Sequence, residues 1–262
     1  VTLSAWEATL VQDLREKGIA ISHLSNFFPP EVLRELADYA KKRWADAAIQ
    51  QEMVRHREIL LGRTAENRPK KAYLVNLWEG NPTLDLSHPF IRFSLSSSLL
   101  NIVNAYLEMF SKFRAWRLEV TIPMPGGVSA KASQRWHRDE EDQKLVKVFL
   151  YLNSVDESTG PFIYLRYSHA GGKWRNIFPL SPPRGSLKMP PNADESIPGE
   201  DIVVCTGQAG TIIFCDTTGL HKGGLARDRE RFMYTSVYTS SASLWPIRYQ
   251  YPEHLDLHSL SP

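Results

Sequence analysis

The stretch Arg114-Ala115-Trp116-Arg117-Leu118-Glu119-Val120-Thr121-Ile122 decides the fold. Trp116, Leu118, Val120 and Ile122 alternate with Arg117, Glu119 and Thr121, the period of two that a β-strand imposes. Before it, apolar residues recur at helical spacing. Ser4-Ala5-Trp6-Glu7 reads as a capping box, with Gly18 closing the helix it opens. Pro29-Pro30-Glu31 starts a second helix, which Val32, Leu33, Leu36, Ala37, Ala40 and Trp44 carry toward residue 54. Residues 89–110 read as a further helix, and 19–21 and 72–78 as strands. The charged residues of 55–71 (Arg55, Arg57, Arg63, Arg68, Lys70, Lys71) read as a solvated loop in preference to an anion-binding patch.

After the deciding stretch, short strands dominate. Residues 123–127 form a turn, and strands are expected at 146–152, 162–167, 202–205, 211–214 and 231–238. Gly160-Pro161 breaks the chain before the second of these. Six prolines in 179–200 mark a long surface loop or lid. Helices followed by strands imply a mainly β chain with a helical buttress (α+β), its core a double-sheet jelly roll. The expected organisation is one domain over 1–262: a mostly helical buttress at 1–113, the jelly-roll core at 114–240 and a tail at 241–262.

Composition excludes several classes. Hydrophobic content is 42% and charged content 23%, as in soluble globular chains. The net charge of +2 is too small for a nucleic-acid footprint. Two cysteines, Cys205 and Cys215, can pair in principle but are too few for a secreted disulfide framework, and read as reduced core thiols. No apolar run approaches the ~18 residues of a membrane span, and the N-terminus has no apolar signal region. A cytoplasmic protein with a small-molecule substrate, no nucleic acid and no membrane is expected. Aromatic content of 11% suits a β-rich core or a pocket for an organic substrate; core is the plainer reading for Trp78, Trp116 and Trp136.

The chemistry centres on Trp136-His137-Arg138-Asp139. In an extended strand, His137 and Asp139 share a face and can grip one metal ion; an imidazole with a carboxylate suits Fe(II). Chance alone gives about one His-x-Asp/Glu pair in a chain of this composition. Three occur: His56-Arg57-Glu58, His137-Arg138-Asp139 and His254-Leu255-Asp256. His56 lies in a helical pattern, where i and i+2 diverge around the axis. His254 has no arginine after it. Only His137 is followed by a strand, a distant histidine and an anion anchor. His221 follows the 211–214 strand and the Asp216–Gly219 turn; two histidines and a carboxylate leave three positions of an octahedral ion open. Arg231 begins the last strand, where a guanidinium fork can hold a carboxylate bidentately, with Arg227 and Arg229 as nearby competitors.

The order His137-x-Asp139, His221, Arg231 resembles the Fe(II)/2-oxoglutarate-dependent oxygenases, in particular the phytanoyl-CoA dioxygenase-like branch. The similar segments are Gln134 to Asp139, Lys147-Val148-Phe149-Leu150-Tyr151-Leu152-Asn153, Gly160-Pro161-Phe162, Ser168-His169 and Gly210-Thr211-Ile212-Ile213-Phe214. The resemblance covers roughly residues 115–240. It implies a double-stranded β-helix (cupin-like) core, Fe(II) on His137, Asp139 and His221, and Arg231 on the distal carboxylate of 2-oxoglutarate. O₂ is then the third reactant, succinate and CO₂ are products, ascorbate is a possible reductant, and hydroxylation of a C–H bond is the default outcome. Asp139 argues for hydroxylation or a related oxidation over the halogenation of relatives with alanine there. Tyr167 departs from the glycine usual before the Ser-His pair.

Gln134 and Thr121 are candidates for the co-substrate's near end. Asp216 is either a support for His221 or a turn-forming residue, and His169 a packed residue rather than a ligand. Glu140, Glu141 and Asp142 are expected to be solvated or to pair with Arg135 and Arg138. Arg117, Lys131, Arg135 and the 55–71 stretch either favour an acidic or carrier-linked substrate or are plain surface. Two further readings stay open: a non-catalytic jelly-roll binding module, and a metal-dependent cupin-type enzyme that needs no 2-oxoglutarate and tolerates loss of Arg231.

Overall fold

The computed structural model describes residues 2–64, 69–78, 82–179 and 192–253. Ser4 accepts a hydrogen bond from the Glu7 backbone and opens α1 (Ala5–Lys17), which Gly18 ends at φ 77°. Then come β1 (Ile19–His23), α2 (Pro30–Trp44), α3 (Ala47–Leu60), β2 (Leu74–Asn76), α4 (Pro89–Ser94) and α5 (Ser97–Leu107). The strands β3 (Lys112–Thr121), β4 (Leu145–Tyr151), β5 (Phe162–Leu165), β6 (Ile202–Cys205), β7 (Thr211–Cys215), β8 (His221–Gly223) and β9 (Arg231–Thr239) complete the order.

Two of the expected helices are broken. The helix expected to reach residue 54 stops at Trp44, and Asp46 caps a new one by accepting a hydrogen bond from the Ala48 backbone at 2.9 Å. The helix expected at 89–110 divides at Leu95, and Ser96 is extended before α5. Asp and Ser compete with helical hydrogen bonds and favour caps. The 55–71 stretch is also not all loop. It stays helical to Leu60, with His56, Ile59 and Leu60 buried and the basic side chains between them turned outward. The strand expected at 72–78 is confined to Leu74–Asn76.

A six-stranded antiparallel sheet runs β1-β7-β4-β9-β3-β2, and a three-stranded sheet β6-β5-β8 faces it. This is the expected jelly roll. Residues 1–113 contribute more than helices: β1 pairs with β7 and β2 with β3, so each covers one edge of the larger sheet.

The larger sheet is buried on both faces. Leu118, Val120, Val148, Leu150, Phe214 and Tyr234 pack with helix residues such as Leu14, Leu36, Phe90 and Ile102. Phe149, Tyr151, Ile213 and Cys215 turn the other way and meet Phe162, Tyr164 and Cys205 of the smaller sheet. That is why β4 and β7 are apolar almost throughout. Each fully buried aliphatic or aromatic side chain contributes about 1.5–3 kcal/mol. On β3 the apolar face meets the helices, so Arg117, Glu119 and Thr121 face the space between the sheets. Cys205 and Cys215 are free and buried. Among the described residues no helix is long and apolar enough to cross a membrane.

Candidate metal centre

His137 and His221 exchange backbone hydrogen bonds, His137 N–H to His221 carbonyl at 2.9 Å and the reverse at 3.0 Å. This bridge ties the segment before β4 to β8 of the smaller sheet and sets the two imidazoles 4.2 Å apart, centroid to centroid. Asp139 is fixed by its own N–H, donated to the Thr217 carbonyl at 2.8 Å. One ligand atom each from His137, Asp139 and His221 lie within 4.8 Å of one another. Asp139 Oδ2 is 3.3 Å from His221 Nε2, and Oδ1 is 4.0 Å from His137 Nε2.

The tautomers suit a metal. Nδ1 of His137 lies 2.9 Å from the Arg135 carbonyl, and Nδ1 of His221 lies 3.0 Å from the Gly219 carbonyl. Each Nδ1 therefore carries the proton, and each Nε2 presents a lone pair to the cluster. Burial pushes the His137 pKa down to about 3, so its imidazole is neutral. Burial works against the Asp139 carboxylate, but the Lys147 ammonium and then His221 hold it well below the usual carboxylate range. Two imidazoles and one carboxylate match the donor set of a borderline divalent cation.

Lys147 is the residue that sequence reasoning missed. It stands inside the apolar run of β4, paired with Val237 of β9, and points between the sheets. Its Nζ is 2.6 Å from Asp139 Oδ2 and 3.1 Å from Glu141 Oε1. Against the cost of burial, Asp139 and Glu141 keep its pKa above the ordinary lysine value. Its signal in the sequence was a cation interrupting Leu145-Val146-Lys147-Val148-Phe149. Glu141 is accordingly not solvated: it pairs with Lys147 and lies 3.8 Å from buried Arg114. Neither Arg135 nor Arg138 pairs with the acidic run; Arg135 donates to the Ala130 carbonyl.

Lys147→Met should lower the stability of the metal-free protein by about 3 kcal/mol, because it leaves two half-buried carboxylates without their cation. Mn(II) should reduce that loss by supplying the missing charge. Denaturant melts in EDTA and in Mn(II) measure both; equal losses under the two conditions would contradict this role.

Arg231 opens β9 opposite Thr121 of β3. The residue is 4% exposed. Nη2 donates to Thr121 Oγ1 at 3.0 Å, and Nη1 donates to the Gly160 carbonyl. Nε has no hydrogen-bond partner among the described residues, and none of their carboxylates forms an ion pair with this cation. Gly160 holds φ 75°, and a Cβ there would come 2.6 Å from the Ala226 nitrogen, so only glycine presents its carbonyl in this way. The competitors are engaged elsewhere. Arg229 pairs with Asp156, and Arg227 donates to the Met124 and Pro125 carbonyls.

Thr121 stands beside Arg231, its hydroxyl accepting from Nη2. Gln134 is buried against Met124 Sδ at 2.9 Å and lines the same cavity. Asp216 is the turn-former: it accepts from the Thr218 backbone and hydroxyl and from Tyr106 Oη, and does not touch the His221 ring. His169 is packed, with Nε2 3.0 Å from the Arg15 carbonyl. Tyr167, in the position where glycine was expected, has φ 62°, the left-handed conformation that glycine adopts without strain. His56 is buried in α3 beside Glu52; His254 and Asp256 lie outside the described residues.

A cavity of about 220 Å³ joins these groups, lined by His137, Asp139, His221, Gln134, Lys147 and Arg231 among others.

No protein-family model and no curated relative matches the sequence. Solved structures match the fold. The non-heme alpha ketoglutarate dependent epimerase SnoN from nogalamycin biosynthesis, in complex with Fe3+, alpha ketoglutarate and nogalamycin RO, is 14% identical with a TM-score of 0.58, over 96% of this chain and 97% of that one. The alpha ketoglutarate dependent carbocyclase SnoK from the same biosynthesis is 16% identical with a TM-score of 0.57, over 100% and 92%. EctD from S. alaskensis, with 2-oxoglutarate and 5-hydroxyectoine, is 13% identical with a TM-score of 0.57, over 95% and 80%. The chain has the cupin-like fold of these iron and 2-oxoglutarate enzymes.

Proposed function

We propose that this protein is a non-haem Fe(II)- and 2-oxoglutarate-dependent dioxygenase acting on a small organic molecule, with His137, Asp139 and His221 as the metal ligands and Arg231 as the anchor for the distal carboxylate of 2-oxoglutarate. The observation that carries this reading is the buried guanidinium of Arg231, which has no carboxylate partner among the described residues and shares one cavity with the three metal-type donors. A buried cation left in that state calls for an anion. A non-catalytic module or a cupin-type enzyme without 2-oxoglutarate gives Arg231 no such partner.

Iron on these ligands would supply the oxidising chemistry with O₂ as the oxidant: one oxygen atom would go to the succinate left when 2-oxoglutarate loses CO₂, and the other to the hydroxylated substrate. The chain's residues bind and orient. His137 and His221 present Nε2 because backbone carbonyls hold their Nδ1 protons. Lys147 holds Asp139 Oδ2, which leaves Oδ1 without an ammonium partner. Thr121 and the Gly160 carbonyl orient the Arg231 fork. Phe149 and Phe162, 4.5 Å apart, wall the cavity with apolar surface that excludes water.

The reading commits to hydroxylation of a C–H bond. Epimerisation or ring closure is the second outcome, favoured by the activities named for SnoN and SnoK. Once a substrate is in hand, label from ¹⁸O₂ enters the compound formed from it only in hydroxylation, whereas succinate takes up label in every case.

The test of the whole reading is anaerobic titration of the protein with Fe(II) and 2-oxoglutarate. A weak visible metal-to-ligand charge-transfer band is expected for the wild type and not for His137→Ala. Retention of the band in His137→Ala would overturn the ligand assignment.

A further inference from the structure

The cavity carries positive charge at two places, and the oxygenase reading uses only one of them. Arg231 and Thr121 stand at one end of the paired strands β3 and β9. Arg117 lies four positions back along β3, on the same face, which at strand rise is about 13 Å away. Lys71 precedes β2, whose Leu74 pairs with Thr121, and its side chain lines the same cavity, where it feels the charges of Glu119 and Arg117. Glu119 stands between Arg117 and Thr121 on that face.

Neither the Lys71 ammonium nor the Arg117 guanidinium has a hydrogen bond or an ion pair among the described residues. The other cavity charges are matched: Asp139 and Glu141 by Lys147 and the buried Arg114 beside Glu141, and Arg231 by the co-substrate in the reading above. That leaves Lys71 and Arg117 facing Glu119 alone, one positive charge in excess. Burial also lowers the pKa of Lys71, and Glu119 does not make up the difference. An amphipathic side chain would normally snorkel such a charge to water; here both cations line the cavity that holds the metal-type donors.

We propose that Lys71 and Arg117 recognise an anionic group, a carboxylate or a phosphate, on the prime substrate. The anion is held at the Lys71–Arg117 wall, so the rest of the molecule extends toward His137, Asp139 and His221. Glu119 separates this anion site from the Arg231 site by like-charge repulsion, so substrate and co-substrate do not exchange places. The inference rests on the oxygenase reading for the identity of the second anion, not for the existence of the site.

Four six-carbon probes test it: hexanoate, hexyl phosphate, hexan-1-ol and hexylamine, titrated calorimetrically into the anaerobic protein loaded with Fe(II) and saturating 2-oxoglutarate. One or both anions should bind more tightly than the alcohol, and the amine least. Whichever anion binds better identifies the headgroup. Lys71→Gln or Arg117→Gln should weaken anion binding about tenfold, the loss of one charge-assisted hydrogen bond, and Arg117→Lys should restore part of it. No preference for an anion over the alcohol, or equal affinities in wild type and both glutamine variants, would overturn the inference. So would loss of the charge-transfer band in Arg117→Gln with recovery in Arg117→Lys, because Arg117 would then serve the co-substrate. If the wild type gives no band, the oxygenase reading fails instead, and the same four probes without 2-oxoglutarate decide whether the anion site stands.

Discussion

Arg231→Met should bind 2-oxoglutarate about two orders of magnitude more weakly than the wild type, with no fall in the melting temperature of the ligand-free protein. The first half follows from removing one partner of a buried, hydrogen-bonded charge pair, which costs about 3 kcal/mol. The second half follows from the ligand-free state. There the guanidinium is buried, its Nε is unpartnered among the described residues, and its remaining bonds go to the Thr121 hydroxyl and the Gly160 carbonyl. Replacing such a cation with an apolar side chain of similar length removes its desolvation cost, which offsets the donors lost to the Gly160 carbonyl and the Thr121 hydroxyl. Arg231→Lys should fall between, since an ammonium keeps the charge but not the bidentate fork. Melting curves with and without 2-oxoglutarate check both halves, because ligand binding to the native state alone raises the melting temperature by mass action. A large fall in ligand-free stability together with unchanged 2-oxoglutarate affinity would mark Arg231 as structural.

Arg138→Ala carries the second large effect, and it is on stability. Arg138 lies between two proposed ligands in sequence, yet its side chain points away from the cavity. It donates to the carbonyls of Thr218 at 2.6 Å, Ile177 at 2.8 Å and Phe178 at 3.0 Å, and also to that of Ser168. One guanidinium therefore ties the segment before β4 to the turn that precedes His221 and to the 168–178 loop. Each carbonyl left without a donor in a buried place costs about 1–3 kcal/mol, so the variant should lose about 3 kcal/mol or more, roughly 10 °C in melting temperature for a chain of this size. Arg138→Lys should recover little, because an ammonium cannot span carbonyls that a planar fork reaches. Metal affinity should fall with stability, since His221 follows the turn that Arg138 holds. Wild-type melting behaviour in Arg138→Ala would contradict this role.

The parts of the fold and the candidate site that were legible in sequence are those fixed by short spacing. The alternation of Trp116, Leu118, Val120 and Ile122 shows a strand without knowledge of its partners. His137 and Asp139 advertise a shared face, and His221 and Arg231 fall at strand ends where a jelly roll converges. What was not legible depends on register between distant segments. Lys147 sits in an apolar run, and only its pairing with Val237 shows that it points at Asp139. The sequence leaves Arg117 open between pocket and plain surface; only the helices covering the opposite side of β3 turn Arg117, Glu119 and Thr121 inward. Arg138 reads as a candidate ion-pair partner for the acidic run, whereas the carbonyls it binds belong to loops far along the chain. The breaks at Asp46 and Ser96 were visible as cap residues, but an apolar period running through them concealed the stop.

The central claim is that three side chains converge on one divalent ion beside an anion-binding arginine. Crystals grown anaerobically with Fe(II) and 2-oxoglutarate, measured at the iron absorption edge, test it most directly. The expected result is one anomalous peak roughly 2.0–2.2 Å from His137 Nε2, His221 Nε2 and an Asp139 carboxylate oxygen, with the distal carboxylate of 2-oxoglutarate on the Arg231 guanidinium. Iron bound elsewhere, or 2-oxoglutarate seated away from Arg231, would contradict it.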